Sequence, residues 1–186
     1  MSESPDVPWA KSSDSRIKKP FTTPPSRAAV FFLEFLRSKG IAGGRLVDLG
    51  CGNGRNAVFF ADNGFEVHAV DKSDEMLKDM DLHGVMPHCH SVTEYWLFED
   101  GSFDLAMDIF CYSEQSEDEK KKFYRDELKR VLKGGGYYLL SVPASYTRTR
   151  IIQEFSGFII VAEEEAADTL FRKPLKTLNF VMKARD

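Results

Sequence analysis

The chain has 186 residues and a formal net charge of −4, enough for one domain with a buried core. No stretch concentrates Lys and Arg on an obvious face, which argues against duplex nucleic acid as a partner, because phosphate contacts need a basic footprint. No apolar stretch approaches the roughly 20 residues that cross a bilayer, and the beginning of the chain lacks the basic-then-apolar shape of a secretory leader. Cys51, Cys89 and Cys111 are odd in number and unevenly spaced. They read as reduced thiols of a cytoplasmic protein.

Residues 1–20 are rich in Ser, Pro, Asp and Lys and read as a flexible tail with Trp9 as its one candidate anchor. Residues 21–186 read as a single domain. After Phe21-Thr22-Thr23-Pro24-Pro25, Ser26 is placed to cap a helix running to about Lys39, with Val30, Leu33 and Leu36 in its apolar stripe and Gly40 at its end. Arg45–Leu49 is a short buried strand that ends in glycines. Asn56 to about Asn63 is a helix stopped by Gly64, and Glu66–Asp71 a second strand. Ser73 then caps a short helix whose first turn carries Asp74 and Glu75, the favourable sign for its dipole.

Pro87–Val92 reads as a third strand and Phe103–Ile109 as a fourth. Ser116–Lys133 is an amphipathic helix with Phe123, Leu128, Val131 and Leu132 inward. Gly134-Gly135-Gly136 ends it, and Tyr137–Val142 is a fifth strand. Lys120-Lys121-Lys122 reads as a solvated face. In the tail, Phe158–Ala162 and Leu178–Lys183 look like strands with no helix between them. The intervening Ala166–Lys176 is too short for a parallel crossover, so the last two strands should pair antiparallel. The expected architecture is α/β: a Rossmann-like, mostly parallel seven-stranded sheet with helices on both faces and a C-terminal antiparallel hairpin.

Ligands of such sheets bind beyond the carboxyl ends of the strands. The loop Asp48-Leu49-Gly50-Cys51-Gly52-Asn53-Gly54-Arg55-Asn56 lies there, between a strand and a helix. Its glycines let the backbone turn sharply and approach a ligand, and the amides at the next helix start face ligand oxygens. Asp71, at the end of the second strand, is positioned to accept two ribose hydroxyls. A glycine loop alone is a weak signal; loop, strand, helix and acidic residue together are a strong one.

These residues resemble a known family. VDLGCGNGR followed by HAVDKS is similar to motifs I and II of class I S-adenosylmethionine-dependent methyltransferases. FEDGSFDLAMDIF resembles their fourth-strand region and ELKRVLKGGGYYLLSV the helix and fifth strand after it. Within the class, FTTPPS, DLGCGNGRNAVFFADNGFEV and LNFVMKAR look closest to the tellurite-resistance-type methyltransferases. The resemblance implies methyl transfer from S-adenosyl-L-methionine to a small-molecule acceptor. It implies that Asp48, Gly50, Gly52, Asn53 and Gly54 line the methionine end of the cofactor and that Asp71 holds the ribose. Lys72, Ser73 and Met76 would border the adenine, and Asp108, at the outer end of the fourth strand, would approach the methionine amino group or the methyl. Relatives carry an acidic residue after the third strand, beside the adenine amino group; this chain has His90-Ser91-Val92, so backbone, Ser91 or Val92 would take that place.

In-line methyl transfer needs alignment above all, and a general base only for some acceptors. Tyr112, Glu114 and Tyr146 are candidates, and none is assigned a catalytic role. His88-Cys89-His90 supplies too few ligands for a metal, and none is expected. Cys51 lacks a paired base and reads as packing. Two other functions share the loop. A nicotinamide-dependent dehydrogenase would want GxGxxG and parallel terminal strands. A non-catalytic cofactor-binding subunit would keep the pocket while the short Pro143–Gly157 segment leaves no acceptor site.

Overall fold

In the computed structural model, residues 23–78, 80–170 and 173–185 are described. The expected tail at residues 1–20, with Trp9, lies outside the described residues, as do Phe21 and Thr22. The elements follow in the order α1 (Arg27–Ser38), β1 (Arg45–Leu49), α2 (Arg55–Asp62), β2 (Glu66–Asp71), α3 (Asp74–Leu77), β3 (Val85–Cys89), β4 (Phe103–Ile109), α4 (Cys111–Glu114), α5 (Asp118–Val131), β5 (Leu132–Pro143), α6 (Arg148–Glu154), β6 (Phe158–Leu170) and β7 (Lys173–Ala184).

The seven strands form one sheet in the order β3-β2-β1-β4-β5-β7-β6. β1 to β5 pair parallel, whereas β7 runs antiparallel to both β5 and β6. The antiparallel end excludes the all-parallel sheet expected of a dehydrogenase. Two apolar layers flank the sheet. One packs α1 to α3 through Phe32, Leu36, Phe60 and Leu77 on Leu46, Val67, Leu105 and Leu139. The other packs α4 to α6 through Tyr112, Tyr124, Leu128, Ile151 and Phe155 on Val47, Leu49, Ala106 and Tyr138.

Local chemistry explains the boundaries. Ser26 Oγ accepts the Ala29 amide at 3.1 Å, a cap worth about 1 kcal/mol. Ser73 occupies the start of α3, but its side chain makes no capping bond; its amide is engaged by Asp71 instead.

Five expectations need correction. The third strand lies at Val85–Cys89, two to three residues before Pro87–Val92, because Pro87 sits on the sheet's outer strand, where a missing N–H breaks no ladder bond. The glycine triplet lies inside β5, where the register with β4 shifts and Gly135 takes a positive φ. α5 turns Tyr124 inward and leaves Phe123 half-buried. Lys121 is also buried, its ammonium over the Tyr112 and Tyr146 rings, so only its neighbours Lys120 and Lys122 form a solvated face. Finally, Ala166–Lys176 belongs to the terminal hairpin, whose strands reach 13 and 12 residues.

Candidate functional site

The site forms where β1 and β2 end. Gly50 and Cys51 donate their amides to Val70 O at 2.8 and 3.0 Å, which ties the glycine loop to the end of β2. Gly50 has φ +72°, and a Cβ there would lie 2.5 Å from Cys111 Sγ, so α4 presses directly on the loop. Gly52 has φ +53°, and a Cβ there would meet nothing within 4 Å: this backbone faces open space. Gly54 begins α2, and Asn53 is exposed.

Asp71 is held from two sides. Gly52 N–H donates to its Oδ2 and Ser73 N–H to its Oδ1, both at 2.9 Å. Each oxygen keeps lone pairs beyond these bonds. The carboxylate is therefore fixed before any hydroxyl reaches it.

Asp48 is buried, and its Oδ2 has no partner. Burial, followed by the charges of Asp108 and Asp71, pushes its carboxyl up to about 8. An acid so placed is poised to ionise when a cation arrives. Asp108 is fully buried within β4, not at its rim. The parallel register pairs it with Leu49 and pairs Asp48 with Met107, so the two carboxyls point to opposite faces of the sheet. Asp108 Oδ2 accepts Tyr124 Oη at 2.6 Å and the Tyr112 amide at 2.9 Å, whereas Oδ1 has no partner. Burial pushes its carboxyl up to about 7, against those two donors.

The remaining expected residues ring this centre unevenly. Lys72 and Met76 are exposed and Ser73 is half-buried on the α3 side. After β3, His90 N–H donates to Asp71 O at 2.9 Å. Ser91 Oγ is paired with Thr93 Oγ1, and Val92 is buried in the α5-side layer. Of the acid–base candidates, Glu114 is exposed. Tyr112 Oη donates to Glu154 and accepts from Arg125, with burial pushing the phenol up. Tyr146 Oη accepts Lys121 Nζ. No group of three or more metal-ligating side chains occurs among the described residues.

Two features had no place in the sequence reading. Asn56 Oδ1 accepts the Ser26 amide at 2.9 Å, which joins the start of α1 to the start of α2 beside the loop. Phe110, just after β4, has φ +75°, the one positive φ of a non-glycine among the described residues. Its amide is held by Ser141 O and its carbonyl by Glu114 N–H and Ser113 Oγ. That turn aims Cys111 at Gly50 and the Tyr112 amide at Asp108; strained backbone of this kind gathers at functional sites.

The glycine loop, a pre-set carboxylate and an antiparallel end to a parallel sheet together point to one fold of enzyme. Residues 46–136 match a family of methyltransferase domains. The match spans the loop, Asp71, β4 and α5. The chain also has the fold of solved structures. One is 1,6-didemethyltoxoflavin-N1-methyltransferase of Burkholderia thailandensis, bound to 1,6-didemethyltoxoflavin and S-adenosylhomocysteine, at 20% identity, TM-score 0.71, covering 86% of this chain and 79% of that one. Another is an S-adenosylmethionine-dependent methyltransferase of Clostridium acetobutylicum, at 13% identity, TM-score 0.70, covering 85% and 91%. No curated protein sequence matches the chain at a significant level.

Proposed function

We propose that the chain is a class I methyltransferase that transfers a methyl group from S-adenosyl-L-methionine to a small-molecule acceptor. The observation that carries this reading is the pairing of Gly52, whose face is open, with Asp71, whose two oxygens are already oriented by backbone amides. The residues fit the cofactor. Asp71 offers acceptors to a vicinal diol. The unpartnered, buried Asp48 Oδ2 offers an anion to an ammonium. Asp48, near the Asp71 carboxyl, ionises more readily as a cationic group approaches, which favours a ligand of that sign.

When bound, S-adenosylmethionine supplies an electrophilic methyl on a sulfonium. The chain's own work is positional: the loop amides and Asp71 fix the nucleoside, Asp48 releases its proton to solvent as a cationic group arrives beside it, and Phe110 and Cys111 close the wall beside Gly50. Positioning of this kind is worth on the order of 7–11 kcal/mol of barrier. In this reading residues 21–186 are a single domain, and Gly54, Asn53, Lys72, Ser73, Met76, Ser91 and Val92 complete the cofactor's surroundings. Within the class, FTTPPS and LNFVMKAR support the tellurite-resistance type. Among the described residues no helix is long and apolar enough to cross a membrane, in keeping with a cytoplasmic enzyme.

The test is calorimetric titration with S-adenosylhomocysteine. Wild type should bind, and Asp71→Ala should bind roughly 10- to 100-fold more weakly, as expected for losing hydrogen bonds to a charged acceptor. Failure of the wild type to bind would remove the assignment. Transfer of a labelled methyl to a panel of thiol, amine, phenol and metalloid oxyanion acceptors then separates an enzyme from a cofactor-binding subunit.

A further inference from the structure

Taking the Asp71 corner as the nucleoside site, we propose that His68 and His88 are positioning residues for it: a neutral, hydrogen-bonded imidazole pair that holds the outer strand β3 in register beside Asp71 and lets go when it takes up a proton.

β3 is an outer strand that pairs only with β2. Of its five residues only Val85, at the start, is buried. Its second half is therefore anchored by His88. That ring stacks on His68 with centroids 5.1 Å apart and planes 16° from parallel, and it meets the Phe98 ring edge-on at 5.0 Å. The anchor lies next to the site. Val70 pairs with His88 and Asp71 with Cys89, and one residue later His90 N–H reaches Asp71 O. A β3 that slips or frays releases the backbone of the residue whose carboxylate grips the ribose.

The hydrogen bonds determine the proton positions. Arg45 Nη2 lies 3.1 Å from His68 Nε2. A guanidinium only donates and a carboxylate only accepts; the shorter approach, from Arg45, makes His68 Nε2 the acceptor and puts the hydrogen on Nδ1, with Glu66 Oε1 at 3.3 Å as the competing partner of Nε2. His68 Nδ1 lies 2.9 Å from His88 Nε2, which must then accept, leaving the His88 hydrogen on Nδ1. Donor and acceptor alternate through Arg45, His68 and His88 only while both rings are neutral. A proton on His88 Nε2 removes the acceptor of the ring–ring bond. A proton on His68 Nε2 ends its acceptance from Arg45 and leaves Glu66 Oε1, at 3.3 Å, as its partner.

The charged and titratable surroundings come from four elements. From β1 comes Arg45. From β2 comes Glu66, which accepts Arg45 Nε at 2.9 Å and lies 3.3 Å from His68 Nε2. From the crossover after β3 comes His90, which bonds Tyr95 O and shares with His88 a groove of about 160 Å³ that also touches Val70, Trp96 and Phe98. From β4 comes Asp104, engaged by Lys133 and the Arg45 amide. Glu66 is the one acid beside the pair, and Arg45 already occupies it. Burial first holds both imidazoles below the usual histidine range; at His68 the Glu66 carboxylate pulls the other way, while the charge of Arg45 on His68 and of protonated His68 on His88 adds to the depression. A histidine depressed in this way lends stability above about pH 6.5 and loses it as pH falls.

The test is calorimetric binding of S-adenosylhomocysteine to wild type, His88→Gln and the control His83→Gln at pH 7.5, 6.5 and 5.5. Titration of Asp48 is common to all three proteins and cancels in the ratios. The wild-type affinity should fall relative to His88→Gln by roughly three- to tenfold between pH 7.5 and 5.5, and His83→Gln should follow wild type. Nitrogen NMR of the unliganded wild type, which needs no variant, should show His68 Nε2 and His88 Nε2 unprotonated at pH 7.5 and the two rings titrating together. Parallel pH slopes in wild type and His88→Gln, or a hydrogen on His68 Nε2 at pH 7.5, overturns the proposal and leaves the cofactor assignment standing. Absence of binding at every pH overturns both.

Discussion

Two glycines in one loop should fail for opposite reasons when replaced by alanine. At Gly50 the φ of +72° and the 2.5 Å approach to Cys111 act together. A left-handed alanine costs roughly 1–2 kcal/mol, and forcing a methyl into a filled space costs about 1–3 kcal/mol more. With about 2–4 °C per kcal/mol for a domain of this size, Gly50→Ala should lower Tm by about 4–20 °C. At Gly52 the backbone cost remains, but a Cβ meets no protein atom, so Tm should fall by only about 2–8 °C. Its methyl enters the space assigned to the cofactor. The same overpacking cost then falls on binding, at roughly 5- to 150-fold in affinity for S-adenosylhomocysteine. Differential scanning fluorimetry and calorimetry on both variants separate the two effects. A Gly52→Ala protein that binds S-adenosylhomocysteine as tightly as wild type would refute the placement of the site.

Three further outcomes are expected. Asp48 holds its proton more tightly folded than unfolded, so the stability it lends is complete below about pH 4 and drains away as pH rises to about 8; the Tm of unliganded Asp48→Asn should therefore gain on wild type between pH 5.5 and 8.5, and a constant difference would show that the carboxyl does not titrate there. Tyr124→Phe deletes the 2.6 Å bond to buried Asp108, at about 1–3 kcal/mol, and thermal melting should register about 2–12 °C. Iodoacetamide at pH 8 should label exposed Cys89 first, because burial, reinforced by the charges of Asp48 and Asp71, pushes the Cys51 and Cys111 thiols up; peptide mapping that finds Cys111 labelled as fast as Cys89 would contradict this.

What could be read from the sequence follows from how local each signal is. β1, the glycine loop and β2 were legible because a short apolar run, a glycine cluster and a terminal acid each fix their own conformation. The antiparallel hairpin was legible from a length constraint, since Ala166–Lys176 is too short for a crossover. α6 was missed because Arg148–Glu154 has only Ile151 buried, too little for a periodic stripe. The inward face of α5 was misjudged because Lys121 and Tyr124 hide polar ends: Lys121 Nζ rests on Tyr146 Oη and Tyr124 Oη on Asp108. Those partners lie 25 and 16 residues away, beyond any local pattern. The same holds for the His68–Arg45 contact, which no spacing rule announces.

The position of the buried acids shows how fold and site are coupled. A parallel sheet puts every strand's carboxyl end on one edge, so Asp71 at the end of β2 and Asp48 and Asp108, each one residue short of the ends of β1 and β4, lie near that edge, with Asp108 on the opposite face from Asp48. β2 and β1 solve the resulting repulsion differently. Asp71 is half-exposed and accepts from two backbone amides, Gly52 and Ser73. Asp48 is buried with an unpartnered oxygen and keeps a proton instead. Asp108 stands between these cases, with two donors on one oxygen and none on the other. Leaving a buried oxygen unsatisfied costs about 1–3 kcal/mol, and isosteric Asn at position 48 would lower the proton-linked part of that cost at high pH. Retaining an acid there makes sense if a cationic ligand completes it, which ties the stability of the empty protein to the presence of its cofactor.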